Sequence, residues 1–161
     1  MDGNKFKQLL AKVEELKKSG NFDLSLEEDL SIAVMNLISL EEHFFFTYQK
    51  TGKSDYLDLL QQTREVRKQL LAKMIPANEG ETWCISKHLL AATMRLIEVG
   101  TKYQTDSKKE EASTAFTQAY KIYSLFWAVR LRLLNLKSVK KIDKAMSIED
   151  LTTQLIDCCQ E

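Results

Sequence analysis

Five glycines and a single proline in 161 residues leave this chain with almost none of the punctuation that strands and tight turns need. Glycine supplies turn positions with positive φ and proline presets others, so proteins with many chain reversals use both freely. Long helices with few connections follow. The remaining composition, 44% hydrophobic and 29% charged, is that of an ordinary globular chain, and this length is enough to bury one core.

Apolar positions recur at the helical period of about 100° per residue and predict six segments. The first, about 4–18, sets Phe6, Leu9, Leu10, Val13 and Leu16 on one face and stops at Ser19-Gly20. The second, about 26–50, opens at Ser25-Leu26-Glu27-Glu28, which has the spacing of a capping box, where Ser and Glu satisfy two unpaired backbone N–H groups. The third, about 55–74, stops before Pro76, which cannot continue a helix interior. The fourth spans about 80–103. The fifth, about 107–136, opens at a second capping box, Ser107-Lys108-Lys109-Glu110, and carries Phe116, Tyr120, Tyr123, Phe126 and Trp127. The last, about 147–159, opens at Ser147-Ile148-Glu149-Asp150, and residues 137–146 read as a linker. Connections of about 4–7 residues favour antiparallel neighbours. The expected fold is all-α: an antiparallel four-helix bundle core with additional N- and C-terminal helices, residues 1–161 forming one domain.

From Leu96 through Glu98-Val99-Gly100 to Ala112, Phe116, Ala119-Tyr120 and Tyr123, small and aromatic positions alternate. This cadence resembles one tetratricopeptide-type helical hairpin. The other helix pairs do not repeat it, so it is taken as ordinary hairpin packing.

Charge narrows the partners. Twenty-three Lys and Arg against 23 Asp and Glu sum to zero, which argues against a dedicated nucleic-acid binder. The layout is nevertheless two-ended. Residues 21–42 hold six acids and no Lys or Arg, a net of −6, while residues 119–144 hold seven bases and one acid, a net of +6. The expectation is that these runs neutralise each other within the fold or simply solvate it; the alternatives are that they steer association with a second copy or a protein partner, or that the basic stretch from Arg130 to Lys144 meets nucleic acid or an anionic membrane. Apolar residues off the main faces, Ile32, Met35 and Phe46 on the second helix and Leu125 on the fifth, are either covered by the terminal helices or form a docking patch, and covering is the expectation. The opening residues show no apolar h-region, no apolar run is long enough to span a bilayer, and three cysteines make an odd count. A cytoplasmic setting is expected.

Three charged residues fall inside apolar arcs: Glu41 on the second helix, Arg67 on the third and Arg130 on the fifth, with Arg64 at an edge. A lone buried charge costs several kcal/mol, so Glu41 is expected to meet Arg67 or Arg130. This cluster is either an internal ion pair that sets helix register or, because two arginines face one carboxylate, a site for a small anionic ligand. On the fourth helix, Thr82, Ser86, Thr93 and Gly100 form a stripe of small residues suited to close helix approach, the alternative being a ligand-sized gap lined by hydroxyls.

Secondary candidates are Trp83, Cys84, Lys87, His88 and His43. Cys84 and His88 share a face four residues apart, but zinc wants four ligands, and only His43, Cys158 and Cys159 remain to complete a set, so no metal site is expected. Neither histidine follows Glu at the Glu-x-x-His spacing of di-iron bundles, and neither follows Arg at the spacing of helical toxin-type ribonucleases. No GxxxxGK[ST] or GxGxxG loop occurs, and no Gly-rich turn precedes Cys84. No catalytic constellation supports an enzyme and no cofactor is expected. A non-catalytic interaction module, self-associating or binding a protein partner, is the functional expectation, with the anion-binding bundle as its alternative.

Overall fold

The computed structural model describes residues 11, 15, 18, 23–76 and 80–132. Among these the chain is all-α, with four helices and no strand: α1 Leu24–Thr51, α2 Asp55–Met74, α3 Gly80–Thr105 and α4 Lys109–Arg130. The segments expected at 147–159 and 137–146 lie outside the described residues. Of the segment expected at 4–18, only Ala11 and Glu15 fall among them, together with Lys18 at its end, and all three are helical. The helices divide into two compact units, one holding α1 and α2, the other α3 and α4.

Each unit is a hairpin. In the first, Asp23 caps α1: its Oδ1 accepts hydrogen bonds from the backbone N–H groups of Ser25 and Leu26 at 3.0 and 3.1 Å. The capping box expected at Ser25 is therefore corrected: α1 starts one residue before Ser25, at Leu24, and the Asp23 carboxylate takes up the first free amides and also meets the positive end of the helix dipole. At the far end Gly52, at φ +67°, takes the left-handed position and donates its N–H to the Tyr48 carbonyl at 2.8 Å. That conformation suits a residue without Cβ. Lys53 and Ser54 complete the reversal, and α2 starts at Asp55. Phe44 then faces Tyr56 with ring centroids 6.4 Å apart, while Glu41, earlier on α1, meets Arg67, later on α2. The two helices therefore run antiparallel. Val34, Met35, Leu71 and Met74 are buried in this unit.

The second hairpin turns without glycine. Lys108 N–H donates to the Tyr103 carbonyl at 2.8 Å and Ser107 N–H to the Gln104 carbonyl at 3.0 Å, the two bonds of a Schellman motif ending α3. Ser107 occupies its left-handed position at φ +61°. The capping box expected at Ser107 is thus a second correction: this residue terminates the preceding helix, and the N-cap of α4 is Lys108, with no side-chain cap bond. A third concerns the end of α4, expected near 136. The helix stops at Arg130, Leu131 donates back to Trp127, and Arg132 adopts φ +54°.

Packing across α3 and α4 depends on small residues. Ala112, Ala115 and Ala119 are buried along α4, and Phe116 lies over Gly100 of α3 so closely that an added Cβ would sit 2.5 Å from its Cε1. Phe126, fully buried, stacks on Tyr123 with ring centroids 6.1 Å apart and meets Trp127 edge-on at 5.5 Å.

Candidate functional site

Arg67 is 1% exposed, and its guanidinium grips Glu41 with two bonds, Nε to Oε1 at 2.9 Å and Nη2 to Oε2 at 3.3 Å. The expected meeting of charges inside the apolar arcs is present. A planar guanidinium matches a carboxylate in this two-point fashion, so the pair fixes the register of α1 against α2 as well as neutralising a buried cation. Arg130 is half-buried on α4, in the other unit.

The α3 candidates separate by burial. Trp83 and Cys84 are buried, Lys87 is half-buried, and His88 is exposed. Desolvation against the helix, and secondarily the Lys87 ammonium, holds the His88 imidazole below its ordinary pKa of 6.5. The Cys84 side chain is turned away from solvent, a poor position for a nucleophile. His43 is exposed on α1. No three metal-ligating side chains converge among the described residues.

In the stripe of small residues, Ser86 and Thr93 are buried, as is Gly100. Thr93 Oγ1 donates to the Leu89 carbonyl at 2.8 Å, but buried Ser86 Oγ has no hydrogen-bond partner among the described residues.

An open groove lies along the second hairpin. Its wider part, about 600 Å³, is lined by Gln104 and Ser107 from the α3 end and turn and by Lys109, Ser113, Phe116 and Tyr120 from α4. A narrower part of about 190 Å³, sharing Phe116 and Tyr120, continues past Ile97, Thr93 and Tyr123. The lining combines the rings of Phe116, Tyr120 and Tyr123 with hydroxyls, an amide and an ammonium. Tyr120 is 73% exposed, an unusual degree for a ring on a packed helix.

Sequence periodicity placed Tyr120 with the aromatic stripe of α4 and did not separate it. The signal that distinguishes it is the line Ala112, Ala115 and Ala119: where alanines mark the close-packed face, a neighbouring tyrosine must stand beside it. Among the off-face apolar residues, Met35 is buried, whereas Ile32, Phe46 and Leu125 are exposed.

No protein-family model matches this chain, and no curated protein or solved structure matches it either. No described helix is long and apolar enough to cross a membrane.

Proposed function

We propose that this chain is a non-catalytic helical interaction module of the cytoplasm, associating through its helix faces with a second copy or another protein. The observation that carries this is the open groove on α3 and α4, lined by Phe116 and by Tyr120, which stands 73% exposed. Tyrosine is enriched at interfaces because it offers a large rigid apolar body with a polar tip at low entropic cost. Exposed Ile32, Phe46 and Leu125 add apolar surface elsewhere, and the two-ended charge layout supplies complementary patches. The expected antiparallel four-helix core with terminal helices belongs to the same proposal, as does the cytoplasmic setting, which the odd count of three cysteines suits.

The alternative, an anion held by Arg67 and Arg130 opposite Glu41, is less favoured, since two donors of Arg67 are already engaged by a carboxylate. Size-exclusion chromatography with light scattering at low and high salt tests the proposal. Association that weakens as salt rises is expected, and Tyr120→Asp should reduce association by about 10-fold or more if Tyr120 is a central anchor. A monomer at every concentration and salt, with no partner displaced by Tyr120→Asp, would remove it.

A further inference from the structure

We propose that the strip of α1 turned away from α2 is a self-association face, on which a second copy of this chain lies antiparallel about a two-fold axis near Ser39. This rests on the chain being an interaction module and assigns it a second surface, distinct from the groove, with a stated occupant. Ile32, Ser39 and Phe46 are seven residues apart, as are Asp29, Asn36, His43 and Lys50, so the two rows form one strip along α1. Such rows drift about 20° per repeat, which a left-handed crossing of two helices follows. Glu41, which faces α2 through Arg67, is two residues from Ser39 and so about 200° round the helix. On this outward strip Ile32 is 45% exposed and Phe46 51%, and Leu40 beside Ser39 is 39% exposed.

The order of residues along the strip names the occupant. Antiparallel pairing about Ser39 sets Ile32 against the partner's Phe46 and brings the small Ser39 of both copies to the crossing, where the helices come closest. Within one residue of the same axis, Asn36 falls beside the partner's His43 and Asp29 beside the partner's Lys50. Each contact then occurs twice, as a two-fold interface requires. Charge selects the direction. Residues 23–36 hold four acids and no Lys or Arg, and residues 43–54 hold two Lys and no acid. Antiparallel copies lay the acidic start of one helix on the basic end of the other, whereas parallel copies would lay acid on acid. Among the described residues no ion pair engages Asp29 or Lys50. Asn36 Nδ2 donates to the Ile32 carbonyl at 2.9 Å and Thr47 Oγ1 to the His43 carbonyl at 2.8 Å, so part of the strip's hydrogen bonding is already met within α1 and drying it costs less.

Sedimentation equilibrium of the full chain at low salt tests this. The parent should dimerise, and Phe46→Asp, which changes an exposed side chain, should raise the dimer Kd about 100-fold or more while the urea midpoint stays close to the parent's. Lys50→Glu should raise the Kd about 10-fold by setting acid against acid. Asp29→Lys combined with Lys50→Glu in one chain should bring it back to within about 3-fold of the parent, because each pair again joins opposite charges. Parallel pairing gives no such rescue, so a double variant that binds no tighter than Lys50→Glu alone overturns the proposal. Dimers that survive Phe46→Asp but are lost with Tyr120→Asp would put the second copy in the groove on α3 and α4 and overturn this proposal alone. Dimers lost with Phe46→Asp and indifferent to Tyr120→Asp support it and take self-association away from the groove. A parent chain that is monomeric at every concentration also overturns it, and the groove then stands or falls by whether Tyr120→Asp displaces a different protein.

Discussion

Arg67 is the residue whose environment is most demanding, because a guanidinium 1% exposed has to be neutralised where it lies. Glu41 retains 14% exposure, so its removal costs less than in a fully dry interior but still takes a two-point carboxylate partner from the cation. Glu41→Gln is expected to destabilise the chain by about 2–3 kcal/mol, below the usual range for breaking a fully buried pair, as measured by urea denaturation. Replacing both residues with Met should recover much of the loss, and a Glu41→Gln chain as stable as the parent would show that the pair contributes nothing. At His88 the sign runs toward acid sensitivity. Protonation is disfavoured in the folded chain, by desolvation first and then by Lys87, so the unfolded chain takes up the proton more readily. Stability therefore falls as the pH drops below 6.5 and levels off once the folded imidazole is protonated as well. His88→Gln should flatten that part of the profile in urea titrations between about pH 7.5 and about pH 5, and an unchanged slope would assign the acid loss elsewhere. Glu41 and Arg67 were legible in sequence because charges inside an apolar stripe violate its period. The burial of Cys84 beside the exposure of His88 was not, since four residues of helix bring two positions onto one side without saying where its edge lies.

Helix termini were read less well than helix interiors. All three corrections at described ends arise because several residues in a row can satisfy the same orphan backbone groups, and packing selects among them: Asp23 rather than Ser25, Lys108 after a left-handed Ser107, and Arg130 as the last residue of α4. The Ser107 position carries a direct test. A residue with Cβ is strained at φ +61°, so Ser107→Gly is expected to stabilise the chain by about 0.5–1 kcal/mol, seen as a raised urea midpoint. Gly100 works in the opposite sense. Ala is a better helix former by about 1 kcal/mol, but its Cβ would meet Phe116 Cε1 at 2.5 Å and Cδ1 at 2.7 Å. Overpacking of this kind costs about 1–3 kcal/mol, so Gly100→Ala should be a net loss of about 1 kcal/mol. Phe116→Leu in the same chain should reverse it, and a raised midpoint for Gly100→Ala alone would refute the close approach.

At the scale of the whole molecule, scarcity of glycine and proline together with a helical period determined that the chain is all-α and roughly where its helices run. Both signals are local: they depend on backbone freedom and on which side of a helix is apolar, and neither needs a partner element to be specified. The groove required tertiary structure. Phe116, Tyr120 and Tyr123 are equivalent by periodicity, and only the approach of α3, set by Gly100 and the alanine line of α4, buries one side of that aromatic cluster and leaves Tyr120 in solvent. The charge asymmetry was visible in the sequence as two runs of opposite sign, whereas the surface on which association is proposed came from how two helices pack. A sequence records the character of each face; which part of a face remains open is decided by the volume of the side chains opposite it.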